Sequence, residues 1–80
     1  MTTEEQVIAS AALAYGVDAS SITLDTNIRE QLSNKSLKLL VFISNLEDEL
    51  DVSIEIRDAA KLVTIRDFVD KVNELANQDA

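Results

Sequence analysis

Hydrophobic residues along this chain recur at helical spacing in three segments and lose their period between them. The first segment runs through Val7, Ile8, Ala11, Ala12 and Tyr15, offsets that place side chains on one face of a helix. Ahead of it, Thr3-Glu4-Glu5-Gln6 has the spacing of a capping box, in which a threonine hydroxyl and a glutamine side chain satisfy free amides at a helix start. Gly16 supplies the left-handed backbone that commonly ends such a helix. The second segment spans Leu37 to Leu50 and contains Leu39-Leu40-Val41-Phe42-Ile43, which in isolation passes for a buried strand. Steps of four, three and four lead from Leu39 through Ile43 and Leu46 to Leu50, across the acidic Glu47-Asp48-Glu49. A strand would not hold that period so far, and the spacing predicts a helix. The third segment is Ile65, Phe68, Val69, Val72 and Leu75 or Ala76. It follows Thr64, placed to cap, with Asp67 in the first turn, where an acid is favoured.

Between Gly16 and Lys35 no period is sustained. Ser20, Ser21, Thr23, Asp25, Thr26 and Asn27 are turn and cap formers, with Ile22, Leu24, Ile28 and Leu32 scattered among them to pin the segment to a core. A loop of this length in a small domain is commonly functional. Asp51 to Ile56 alternates polar and apolar and reads as a short extended connector, while Arg57 to Leu62 has room for only a turn or two of helix. The pattern predicts one all-α domain over residues 1–80. Its architecture is a small antiparallel four-helix bundle, with three main helices, one short helix and a long loop between helices 1 and 2.

Composition narrows what such a domain can do. The 80 residues are 46% hydrophobic, enough for a core, and include one glycine and no proline, which fits a mostly helical chain. Cysteine and histidine are both absent. The commonest general base, the commonest transition-metal ligand and any disulfide framework are therefore missing, and the expectation is a protein that is not an enzyme and holds no metal. Fifteen acidic against seven basic side chains give a net charge of −8. That balance excludes nucleic acid as a partner, since phosphate backbones require a basic stripe, and favours partners with positive surfaces. No Asp-x-Asp-x-Asp-Gly loop of the EF-hand kind occurs, and the cluster Glu47-Asp48-Glu49-Asp51 reads as a solvated face. Met1 to Glu5 has no signal-peptide core, and the apolar runs are too short to span a membrane. A cytoplasmic monomer without membrane insertion is expected.

Two features of the second helix point beyond packing. At roughly 100° per residue, Leu39, Phe42, Ile43, Leu46 and Leu50 fall within about one third of the circumference, the stripe that meets the core. Leu37 and Val41 lie opposite, beside Ser44, Asn45 and Asp48, with Leu40 on the flank. Either the long loop covers Leu37 and Leu40, or they form a docking surface for a partner. The helix also begins at Ser36, directly after Lys35. A serine there is a good cap, accepting a hydrogen bond from the amide of Leu39 or its neighbour. A helix start equally stabilises an anion, so a phosphoester on Ser36 would be well placed, with the Lys35 ammonium adjacent.

The order of motifs resembles the acyl carrier protein family. Family members usually read Asp-Ser-Leu at the head of the second helix, where this chain has Lys35-Ser36-Leu37. Leu46-Glu47-Asp48-Glu49-Leu50-Asp51-Val52-Ser53-Ile54 is similar to the family's Leu-Glu-Glu-Glu-Phe-Asp-x-x-Ile. Ala59, Lys61, Leu62, Thr64 and Ile65 resemble its Ala-x-Lys-Ile-x-Thr-Val segment. Upstream, Ile22-Thr23 and Ile28-x-Glu30-x-Leu32 stand in the places of Val-Thr and Phe-x-Glu-x-Leu. The resemblance runs without gaps over nearly the whole chain.

What the resemblance implies is a carrier of acyl groups, held as thioesters on a 4'-phosphopantetheine arm attached to Ser36, for fatty acid, lipid or polyketide synthesis. A D-alanyl or aminoacyl carrier is a variant of that chemistry, and an unmodified helical interaction module of the same fold is the alternative from another class. The implied partners are a phosphopantetheinyl transferase and acyl-transfer and synthase enzymes. They would meet Lys35, Leu37, Lys38, Val41, Glu47 and Asp48, while Phe42, Ile43, Leu46, Ile54, Ala59, Leu62 and Phe68 would line the space that shelters an acyl chain. Lys35 replaces the family's usual aspartate, Ser33 its glycine and Glu55 its proline. Lys38 and Val41 stand where acidic residues are common, which implies an altered code for partners on the first half of this helix.

Overall fold

The computed structural model describes residues 1–77. Its elements are α1 (Thr3–Tyr15), a 3₁₀ turn (Ala19–Ser21), a π-helical turn (Ile28–Leu32), α2 (Ser36–Leu50), α3 (Ile56–Ala59) and α4 (Ile65–Asn77). The fold is the all-helical bundle that the periodicity predicts, with three main helices, one short one and no strand among the described residues.

The capping box at the start of α1 sits one residue earlier than the sequence suggests. The Thr2 hydroxyl accepts from the Glu5 amide at 3.2 Å, and the Thr2 amide donates to the Glu5 carboxylate at 3.0 Å. The pairs Thr2/Glu5 and Thr3/Gln6 have equal spacing. Glu5 brings a charged acceptor to the positive end of the helix, which an amide cannot match. At the other end Gly16 takes the left-handed conformation, φ 68°, and closes the helix onto the Ala12 carbonyl.

α1 packs against α2 and α4, and the core holds the faces that the spacing assigns: Val7 and Ala11, then Phe42, Ile43 and Leu46, then Ile65, Phe68 and Val72. All three aromatic residues of the chain meet there. Phe42 stands edge-on to Tyr15, ring centroids 6.0 Å apart, and tilts onto Phe68 at 4.8 Å. Each ring buried in this way contributes about 1.5–3 kcal/mol from area alone.

The long segment after α1 is more ordered than its lack of period implies. Asp18 caps the 3₁₀ turn and Asn27 caps the π-helical turn; each element is too short to display a hydrophobic repeat. Ile22 and Ile28 are buried, with Leu24 and Leu32 packed against the core. The segment is also stitched to the junction of α3 and α4: Ile28 N–H donates to Val63 O at 3.0 Å, Ile65 N–H to Thr26 O at 3.2 Å, and Arg66 N–H to Leu24 O at 2.9 Å.

α3 is a single turn, within the turn or two that the Arg57–Leu62 stretch allows, and it starts one residue earlier, running from Ile56 to Ala59. Ala60 to Leu62 close as a tight turn, with Lys61 N–H on Asp58 O and Leu62 N–H on Ala59 O at 3.1 Å each. The backbone must leave the helix there to meet Thr26 and Ile28. α4 starts as predicted: Thr64 Oγ1 accepts from Asp67 N–H at 3.3 Å. The Asp67 carboxylate in turn accepts from Val63 and Thr64 N–H at 2.9 and 3.1 Å. Those two amides hold the Asp67 carboxyl below its ordinary range.

Candidate functional site

Ser36 is the first residue of α2, exposed, and follows the exposed Lys35. It does not cap the helix. Lys35 occupies the capping position and makes no side-chain cap hydrogen bond, while the Lys35 carbonyl receives the Lys38 and Leu39 amides at 3.2 and 3.3 Å. A helix cap must adopt extended backbone, and here Lys35 has it, φ −78° and ψ 125°. The Ser36 hydroxyl is thus left out of the capping role, at a helix end whose first amides lack intrahelical acceptors and favour negative charge.

Beside Ser36 a cavity of ≈ 290 Å³ opens between the heads of α2 and α3. Its apolar walls are Tyr15, Ile28, Leu39, Leu40, Ile56, Ala60, Leu62 and Phe68; its polar lining is Arg29 and the run Ser33, Asn34, Lys35, Ser36. Leu62 and Phe68 belong to the set that the resemblance assigns to an acyl pocket. Phe42, Ile43, Leu46, Ile54 and Ala59, of that same set, are buried in the core cluster and do not border this cavity. A helical period reveals which face is buried, but not where two buried faces fail to meet. Tyr15, Ile28, Leu39, Leu40, Ile56 and Arg29 were outside that set. The helical period marks Tyr15 and Leu39 as core residues and Leu40 as a flank residue, and marks none of the six as bordering a cavity.

Arg29 carries no motif at all. Its guanidinium donates to Leu62 O and to Ala60 O at 2.8 Å each. The fork clamps the loop onto the end of α3 and so sets one wall of the cavity.

On the outer side of α2, Leu37 is 72% exposed and Val41 42%, while Leu40, 41% exposed, sits on the flank and also borders the cavity. The loop does not cover Leu37 or Val41. Asp48 is exposed, whereas Lys38 is half-buried, so its stem packs along the surface. Glu47 is also half-buried: one of its oxygens accepts from Ile54 N–H at 2.9 Å and holds the connector after α2. Asn45 turns from the outer face and donates to Ser10 O at 3.4 Å, on α1. Among the described residues no cluster of acidic side chains is arranged to hold a metal ion, and no helix is long and apolar enough to cross a membrane.

A phosphopantetheine arm suits this arrangement, with an exposed hydroxyl to bear the phosphodiester, a helix end to receive its charge and a cavity alongside. The family model for a phosphopantetheine attachment site matches residues 5–72. An acyl carrier protein of Exiguobacterium is 35% identical over 84% of this chain and 90% of its own length. Acyl carrier proteins of two Campylobacter jejuni subspecies, doylei and jejuni, are 33% and 32% identical, each over 94% of this chain and 97% of their own. The chain belongs to the acyl carrier protein family, non-catalytic carriers with a covalently attached 4'-phosphopantetheine that are met by phosphopantetheinyl transferases and acyl-transfer enzymes.

Proposed function

We propose that Ser36 bears the phosphopantetheine arm and that the chain carries aliphatic acyl groups of the kind made in fatty acid, lipid or polyketide synthesis. The observation that supports this most is that Ser36 lines the same cavity as Leu39, Leu40, Ile56, Leu62 and Phe68. When bound, the arm supplies a thiol that holds the acyl group as a thioester. The chain has no cysteine of its own to compete for cargo. The α2 amides and Lys35 neutralise the phosphodiester, and the apolar walls take hydrocarbon out of water at about 25 cal/mol per Å². A D-alanyl cargo would bring an ammonium, which those walls can only desolvate at a cost.

Partners meet the outer side of the α2 head. Leu37 and Val41 are apolar anchors there, Lys35 and Lys38 supply positive charge, and Asp48 with the remaining oxygen of Glu47 supplies negative charge further along. An enzyme fitted to this face presents carboxylates near the serine and cations about three turns along the helix.

The reading is tested by comparing amide chemical shifts of the arm-bearing protein with and without a saturated acyl chain. The expected shifts fall on Leu39, Leu40, Ile56, Leu62 and Phe68. Shifts confined to Leu37 and Val41 would place the chain outside and overturn the reading.

A further inference from the structure

A cavity meant for plain hydrocarbon has no use for a hydroxyl, and this one has Tyr15 in its wall. The residue ends α1 and is only 5% exposed. Its ring packs edge-on with Phe42 in the core. Among the described residues it makes no hydrogen bond within the chain, yet no side-chain oxygen there is both sealed and unpartnered. The Tyr15 hydroxyl is therefore not sealed in, and Tyr15 is one of the residues that line the cavity. Phenylalanine would fill the same position without a polar atom to desolvate, and a buried tyrosine ordinarily finds its hydroxyl a partner.

We propose that the Tyr15 hydroxyl is a polar subsite recognising an oxygen substituent, a hydroxyl or a ketone, on the acyl chain housed in the cavity; this rests on Ser36 bearing the arm. Burial keeps the phenol protonated above its usual range, with the Arg29 charge pulling back in part, so it is available as a donor at neutral pH. A chain bearing an oxygen gains one hydrogen bond. A saturated chain leaves the hydroxyl against methylene groups with its hydration lost, and an unmade buried hydrogen bond discriminates more strongly than an absent methylene does.

The test uses wild type and Tyr15→Phe, each loaded by a promiscuous phosphopantetheinyl transferase with saturated, 3-hydroxy or 3-oxo acyl arms of equal length. Intact mass confirms loading before thermal melts are compared within each protein, which cancels any change in basal stability. In wild type the oxygen-bearing forms are expected to melt above the saturated form by about 4–8 °C, the shift of one net hydrogen bond in a domain of this size. In Tyr15→Phe the saturated form should melt at least as high as the others. The same order and spacing of melts in both proteins overturns the subsite and leaves the carrier reading standing. A bare polypeptide mass overturns both.

Discussion

Arg29 Nη1 donates to the Leu62 carbonyl at 2.8 Å across 33 positions of sequence, and the other arm of the same guanidinium takes Ala60. This fork joins the loop that leads into Ser36 to the turn that leaves α3. Without it the cavity would lose the residue that ties its two rims together.

Arg29→Met keeps the apolar stem and removes the fork. At this exposed site the loss should be about 1 kcal/mol, read as a lower midpoint in urea. Amide exchange should quicken at Ile28 and Ile65, whose hydrogen bonds cross the same seam. Arg29→Lys should not restore it, since an ammonium lacks the planar pair of donors. An unchanged midpoint and unchanged exchange would show that the clamp contributes nothing.

How far the sequence reveals this molecule depends on the range of each interaction. The period Leu39, Ile43, Leu46, Leu50 and the stripe from Ile65 to Val72 are local and appear as written, as does the Gly16 stop. Thr2 and Thr3 were separable only by the strength of the acceptor three residues on. Ser36 was legible as the head of a helix, but not as a residue excused from capping it, because a serine and a lysine at adjacent positions compete through backbone conformation. The Arg29 clamp had no local signal, and the period that puts Tyr15 on a buried face does not report that it borders a cavity with Ile56. They exist only where distant segments come together, and no spacing rule reports that.

The two lysines at the head of α2 set a charge that partners must match. Converting Lys35 and Lys38 to Asp reverses the sign at both positions. With a transferase whose docking face is basic, association should accelerate several-fold at low ionic strength and converge with wild type as salt rises. The new acids are also favourable near a helix start, though half-buried Lys38 gives up some packing of its stem. Modification kinetics over a salt series measure this. Equal rates at low salt would mean that these lysines do not steer partners.

Asp67 should give the chain an acid-sensitive helix cap. Its folded pKa is depressed by the Val63 and Thr64 amides, so its stabilising effect is complete above the unfolded carboxylate pKa and is lost as pH falls through the depressed folded value. Falling pH also relieves self-repulsion of the acidic surface, so the informative quantity is a difference between two proteins. At neutral pH Asp67→Ala should be about 1 kcal/mol less stable than wild type. The gap should narrow once pH drops below the ordinary carboxylate range. A gap that stays constant down to strongly acid pH would show that the carboxylate is not the source of the stabilisation.

Everything proposed for this chain depends on the Ser36 hydroxyl. The most direct measurement is intact mass, with fragmentation to locate any added group, of wild type and Ser36→Ala after incubation with coenzyme A and a promiscuous phosphopantetheinyl transferase. One phosphopantetheine per wild-type chain, located on Ser36 and absent from the folded alanine variant, is the expected result. A wild-type chain that stays at its bare mass, or an arm that persists in Ser36→Ala, would contradict it.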